Sequence, residues 1–222
     1  NCDSSIVSSK HNKEYIITRY HIDETRVNVI QNYVDTDLFY PLYLNKYDDR
    51  VVYVGRLSKE KNLFNLIEAI KILNLGLDVY GDGVLSDKLG DFSKKINANV
   101  NFYGCVRNSE LPAIYNNYKY YILPSLNEGM PKSLLEAMAC GLICVGTNVT
   151  GINEVIEDGK NGILASGTDV ISLCSAIKNG FSISTNVAKH ARAYVVNNHS
   201  LNSVLKKERK ILHALGNQGC RL

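Results

Sequence analysis

The sequence predicts an α/β fold built on a doubly wound parallel sheet, and three observations carry that reading. Short apolar runs recur from residue 51 onward: Val51-Val52-Tyr53-Val54, Leu77-Asp78-Val79-Tyr80, Val100 to Tyr103, Tyr120 to Leu123 and Leu142-Ile143-Cys144-Val145. Most are near-continuous rather than alternating, as strands buried on both faces are. Helical patterns separate them and the loops between are short, which specifies repeated βα units and hence a parallel sheet.

Taken in order, residues 5–8 (Ser-Ile-Val-Ser) read as a short strand, followed by a polar helix to about Tyr20. Arg26 to Ile30 alternates as a strand should. Gln31 to Pro41 is irregular, and a polar linker runs from Asn45 to Arg50. The strand 51–54 ends at Gly55-Arg56. Leu63, Leu66, Ile67 and Ile70 then fall at i, i+3, i+4 and i+7, one face of a helix. The strand 77–80 runs into a tight turn, Gly81-Asp82-Gly83, and a helix to about Ile96. After the strand ending at Gly104, Leu111, Ile114, Tyr115 and Tyr118 line a further helix face. Beyond Val145 the chain turns at 147–151 and forms a short helix through Glu154-Val155-Ile156. Gly162-Ile163-Leu164 is the last expected strand, and helices fill roughly 168–179, 184–196 and 201–215.

Composition narrows the function. The 222 residues suffice for one sizeable core, with 21% charged and 45% hydrophobic residues and a net charge of +3. There is no Lys/Arg run interleaved with aromatics, so nucleic acid is not indicated. Apolar runs fall short of the ~18–20 residues that span a bilayer. The six cysteines, Cys2, Cys105, Cys140, Cys144, Cys174 and Cys220, form neither a Cys-x-x-Cys pair nor a metal spacing, and the expectation is reduced thiols in a cytoplasmic protein. The five histidines, His21 among them, are scattered without ligand spacing and read as surface residues.

The chemistry concentrates in residues 127–141, Asn-Glu-Gly-Met-Pro-Lys-Ser-Leu-Leu-Glu-Ala-Met-Ala-Cys-Gly. Gly129 frees the loop, Pro131 is pre-set for a first helical turn, and Gly141 stands where a left-handed cap belongs. A helix N-terminus at the mouth of a parallel sheet offers free N–H groups to an anion, here those of Lys132 and Ser133. Met130 packs within the loop. Glu136 lies four or five residues into the helix, roughly 6–8 Å along its axis, while Glu128 precedes it. Arg56 leaves the end of strand 51–54 and Lys61 opens the next helix, so both could face the same cleft, and two cations near a helix N-terminus suit a diphosphate. Taken alone, such a pair is two solvated surface cations. Lys59 competes with Lys61 for the second role. The glycine turns at 81–83 and 104 are weaker signals, since a glycine after a strand is ordinary turn chemistry. A two-carboxylate hydrolase is the chemical competitor, but the helix start and the cations favour a phosphate leaving group.

Two glutamates bracketing a Gly-x-Pro helix start resemble the Glu-x7-Glu motif of retaining GT-B glycosyltransferases of family 4 (glycosyl transferases group 1). The Arg56-x4-Lys61 spacing resembles the same family's diphosphate pair. Gln31 to Pro41 is similar to its interdomain segment, with Gln31 in place of a Pro and Tyr33 in place of a Gly. The resemblance implies the C-terminal, donor-binding half of a GT-B fold with a Rossmann-like sheet. It implies that Glu136 holds ribose hydroxyls, that Glu128 meets the donor sugar near the reacting carbon, and that Arg56 and Lys61 stabilise the departing diphosphate. Gly55, Met130, Lys132, Ser133 and backbone near Val106 complete the substrate contacts.

By that resemblance residues 1–25 are the remnant of an acceptor-binding N-terminal domain, 26–182 the nucleotide-sugar domain, and 183–222 helices that include the crossover. The activity implied is transfer of a hexosyl-type sugar from a UDP- or GDP-sugar to an acceptor hydroxyl with retention, without metal or cofactor. The isolated chain would turn over weakly or not at all. The acceptor domain would be supplied in cis or by another chain, and any peripheral membrane contact would come through that half. The alternatives are a GT-B phosphorylase or epimerase, or a non-catalytic nucleotide-sugar-binding or regulatory protein.

Overall fold

A computed structural model of the chain describes residues 4–42 and 46–219, with side chains as far as residue 214. Cys2, Cys220 and the start of the expected linker at Asn45 lie outside the described residues. Two sheets are present. A small one pairs β1 (Ser5–Val7) with β2 (Val27–Val29) in parallel, connected by α1 (Lys10–Tyr20). The large one comprises β3 (Tyr47–Val54), β4 (Gly76–Tyr80), β5 (Val100–Gly104), β6 (Tyr118–Leu123), β7 (Ile143–Thr147) and β8 (Ile163–Ala165). Its spatial order is β5-β4-β3-β6-β7-β8, with every neighbouring pair parallel.

The chain steps outward from β3 to β5, then returns to the other side of β3 to lay down β6, β7 and β8. Crossovers in opposite directions put helices on both faces. On one side α2 (Leu63–Leu73) packs against α3 (Ser86–Lys95) and α6 (Val170–Ser182); on the other α5 (Lys132–Ala139) packs against α7 (Asn186–His199). The short α4 (Leu111–Asn116) lies against β6, and α8 (Leu201–Gly219) follows α7. All five residues of β7 are buried, as are Val51 to Val54 and Tyr121 to Leu123, which accounts for their unbroken apolar character.

Several boundaries differ from expectation. β3 begins at Tyr47, inside the expected linker, because its polar first half pairs with β6 through Tyr47↔Tyr118. Tyr118 therefore opens a strand and does not belong to the preceding helix. Residues 151–155 form turns, not the expected short helix; their bonds from Asn153 N to Val149 O and Ile156 N to Ile152 O make single turns that do not propagate. β2, which spans Val27–Val29 of the expected strand 26–30, pairs with β1 and not with the large sheet. Beyond residue 183, α7 covers α5 and β7.

Candidate functional site

Doubly wound sheets bind ligands outside the carboxyl ends of the strands, at the point where the strand order reverses. Here that point lies between β3 and β6. Gly55 and Arg56 leave the end of β3, and the segment Ser125 to Pro131 leaves the end of β6. Gly55, Arg56 and the Glu128 loop thus stand at the strand ends that topology selects.

Glu128 and Lys61 meet there. Lys61 Nζ donates to Glu128 Oε1 at 2.5 Å, with side chains only 19% and 10% exposed, so the pair is largely withdrawn from water. Ser125 Oγ donates to the same carboxylate oxygen at 2.6 Å. Lys61 does not open a helix as expected. It ends a 3-10 turn, Lys59–Lys61, and Asn62 in left-handed conformation separates it from α2. The turn is tied to the Glu128 loop by Leu126 N donating to Glu60 O at 2.8 Å. Arg56 is exposed, its charge close enough to act on Glu60, and its carbonyl accepts from the buried Tyr53 hydroxyl at 2.9 Å. Lys59 is also exposed.

Pro131 precedes the helix instead of occupying its first turn: it is the N-cap residue, with φ −75 and ψ 101, and no side chain caps the helix. The amides of Lys132 and Ser133 open α5 above the crevice. The Ser133 hydroxyl turns inward to Tyr121 OH at 2.8 Å, leaving its amide as the group an anion could use. Met130 is buried, as expected. At the other end Gly141, at φ +74, closes the helix: Leu142 N donates to Ala137 O and Gly141 N to Met138 O, the paired bonds of a Schellman cap.

Glu136 lies one level deeper and is 3% exposed. Burial raises its carboxyl above the ordinary value, against the lowering influence of Lys132 and of hydrogen bonds from Asn108 and Tyr115. Tyr115 OH reaches Glu136 Oε2 at 3.4 Å and Ser133 O at 3.3 Å. The crevice therefore offers an acid at its mouth, already paired with a lysine, and a second acid buried behind a helix start.

The glycine turns knit the neighbouring strand ends together. Gly55 N donates to Tyr80 O, Leu57 N to Asp82 O and Gly81 N to Gly104 O. Gly81, Asp82 and Gly104 line a cavity of about 680 Å3 with Ser86, Gly90 and Lys94 of α3, on the β5 flank of the sheet. Val106 is half-buried beside β5 and packs on the core. On the β7 side, Gly151 at φ +83 lies against the loop; a Cβ there would come within 2.5 Å of Gly129 O and 2.6 Å of Glu128 O.

Sequence reasoning missed the supporting groups Ser125, Asn108, Tyr115 and Tyr121. Tyr115 carried a usable signal, since a tyrosine on a buried helix face needs a partner for its hydroxyl. It also misjudged His199, which is fully buried. Among the described residues no cluster of His, Cys, Asp and Glu could hold a metal ion, and no helix is long and apolar enough to cross a membrane.

This is a doubly wound α/β domain whose Lys61–Glu128 pair stands at the switch point of a parallel sheet. The chain belongs to the glycosyl transferases group 1 family, whose model matches residues 37–196. It is 30% identical over 185 residues to the UDP-Gal:alpha-D-GlcNAc-diphosphoundecaprenol alpha-1,3-galactosyltransferase of Escherichia coli, covering 74% of this chain and 48% of that protein. It is 27% identical over 197 residues to the D-inositol 3-phosphate glycosyltransferase of Mycobacterium ulcerans, covering 79% and 42%. Among solved structures, the fold matches sucrose-phosphate synthase from Thermosynechococcus elongatus with a TM-score of 0.86 at 22% identity, over 98% of this chain and 59% of that one. It also matches Anabaena HepE in complex with UDP-glucose, with a TM-score of 0.84 at 20% identity, over 97% and 64%. These neighbours are GT-B glycosyltransferases, so the GT-B relationship joins the doubly wound sheet as a property of the fold. The chain spans about half the length of the curated relatives it matches.

Proposed function

We propose that this chain is the donor-binding half of a retaining glycosyltransferase that takes a hexosyl-type sugar from a nucleoside diphosphate, with UDP as the first candidate. The observation that carries the reading is the two-level arrangement at the switch point: Glu128 with Lys61 at the mouth, the uncapped start of α5 between, and Glu136 buried behind it. UDP is favoured because the E. coli relative is named for UDP-Gal and solved neighbours hold UDP or UDP-glucose.

In this reading the diphosphate takes the amides of Lys132 and Ser133, and Arg56 and Lys61 supply the positive charge. Glu136 accepts from ribose hydroxyls, and Glu128 from the sugar. Lys61 then has two anions to serve. Its bond to Glu128 holds it at the crevice before the donor arrives, which lowers the entropic cost of recruiting it. Transfer breaks the bond between the anomeric carbon and the diphosphate oxygen, and the electron pair leaves with the phosphate. The acceptor oxygen bonds to that carbon on the same face, and its proton passes to the leaving phosphate. Charge growing on the phosphate is met by fixed amides and two cations, so these residues need no metal or cofactor for that step. The acceptor comes from a domain supplied in cis or by another chain, and any membrane contact belongs to that half.

Isothermal calorimetry with UDP, GDP and their glucose, galactose and N-acetylglucosamine conjugates tests this. The expected result is binding of one nucleotide series, reduced about tenfold or more by either Arg56→Ala or Glu136→Ala, as loss of a charged hydrogen bond implies. Indifference to both substitutions would remove the site assignment.

A further inference from the structure

The loop that carries Glu128 into α5 is held as far as Glu128, by Ser125 and Lys61 on its carboxylate and by Leu126 N on Glu60 O, but between Glu128 and the helix it makes few bonds of its own. A Cβ on Gly129 would meet open space, Pro131 has no N–H, and no side chain caps the helix. In that stretch a side chain from a segment far upstream in the chain takes hold. Asn32 Nδ2 donates to Met130 O at 2.9 Å, across 98 positions of sequence.

Asn32 is exposed, yet its backbone is fixed by a buried junction. Its carbonyl accepts from His199 Nδ1 at 3.0 Å, which places the ring proton on Nδ1, because a carbonyl only accepts. Two residues on, Val34 N donates to His199 O at 2.8 Å, and Val34 bridges to Ser200 where α7 gives way to α8. Val34 and His199 are 1% and 0% exposed. Asn32 therefore stands on a rigid base and reaches out to one carbonyl of the loop.

The same upstream part of the chain makes a second contact, with the turn at 151–155. Glu154 accepts from the amides of Lys10 and His11, at 3.0 and 3.4 Å, capping the first turn of α1. Glu154 follows Gly151, which abuts the carbonyls of Glu128 and Gly129. Of the segment 10–34, Asn32 is the residue that bonds the loop directly.

We propose that Asn32 is a positioning residue: by holding the Met130 carbonyl it fixes the angle at which the loop enters α5, and so presents the Lys132 and Ser133 amides as a set. The consequence for nucleotide rests on the donor-site reading above. The consequence for the loop does not.

Hydrogen exchange of the free chain, read by mass spectrometry, separates the two. Asn32→Ala is expected to speed exchange in residues 129–135 about fivefold, as loss of one hydrogen bond implies, with α2 and α6 unchanged. Asn32→Gln, which keeps the amide donor, is expected to restore most of the protection. Affinity for UDP should fall by the same factor in Asn32→Ala, while affinity for uridine, which lacks the diphosphate, stays at the wild-type value. Unchanged exchange in 129–135, or faster exchange throughout the chain, would overturn the positioning role. Faster exchange in 129–135 of Asn32→Ala, with no binding of UDP by the wild-type chain, would instead count against the donor reading alone.

Discussion

Glu136 holds its carboxyl in a place that resists ionisation. Its carboxyl is raised above the ordinary 4.5 chiefly by burial. A carboxyl raised in the folded state contributes stability that is full below the unfolded value and lost as pH climbs through the folded one. At neutral pH the apo chain therefore bears a cost that hydroxyl donors from a ligand would offset. Glu136→Gln is expected to weaken nucleotide binding about tenfold without lowering the melting temperature at pH 7. The gap between variant and wild type should widen in the variant's favour from pH 5 to pH 7, as scanning fluorimetry would show. A variant that melts lower by one amount at both values would contradict this. Glu128, Glu136 and Lys61 were legible because a local pattern carries them. Ser125, Tyr115, Tyr121 and Asn108 were not, because each reaches the site from a different element and nothing local marks it.

At the scale of elements, the sheet hides an ion pair that composition does not announce. Asp78 sits in an otherwise apolar strand and is 2% exposed. Burial works against its charge, but hydrogen bonds from Arg50, Tyr118 and Asn101 prevail and hold the carboxyl below its ordinary range. Arg50 Nε lies 2.9 Å from Asp78 Oδ2, and Tyr118 OH 2.7 Å from the same oxygen. Arg50→Met leaves the carboxylate buried with its cation gone and is expected to cost about 3 kcal/mol in guanidinium unfolding. A loss below about 1 kcal/mol would mean that the tyrosine and amide donors suffice. This cluster explains the misplaced boundaries. Tyr47-Asp48-Asp49-Arg50 looks like linker, yet Arg50 is the first residue of the β3–β4 register, opposite Gly76. The buried strands, helix faces and Gly141 cap were readable because each repeats a local rule. The turns at 151–155 were not, since Glu154-Val155-Ile156 is compatible with helix and only packing decides.

For the whole molecule, the junction at His199 is where remote parts of the chain meet. Burial lowers the imidazole pKa from 6.5, the bond to Asn32 opposes the shift, and Lys207 adds to it. Nε2 is buried without a partner, so a second ring proton would find no acceptor among the described residues. With the folded value depressed, stability is full above the unfolded value near 6.5 and falls as pH drops below it toward the folded one. The melting temperature should therefore decline from pH 7 to pH 5, and His199→Asn, which keeps a donor toward Asn32, should flatten that decline. Equal slopes in both proteins would discard the link. No spacing in the sequence marks this histidine, because its partners are a linker and a helix break far apart in the chain.

The order of the strands has one more consequence, in time and not in space. β4 and β5 join β3 as the chain is traversed, but β6 must return to the opposite side, pairing Tyr120 with Val51. Contacts between distant residues carry the largest loop-closure penalty and form late. The crevice that gathers Lys61 and Glu128 is bounded by that pair of strands. It comes into being only with the most remote pairing in the sheet, so a nascent or partly unfolded chain can own most of its secondary structure and still lack the place where its chemistry would occur.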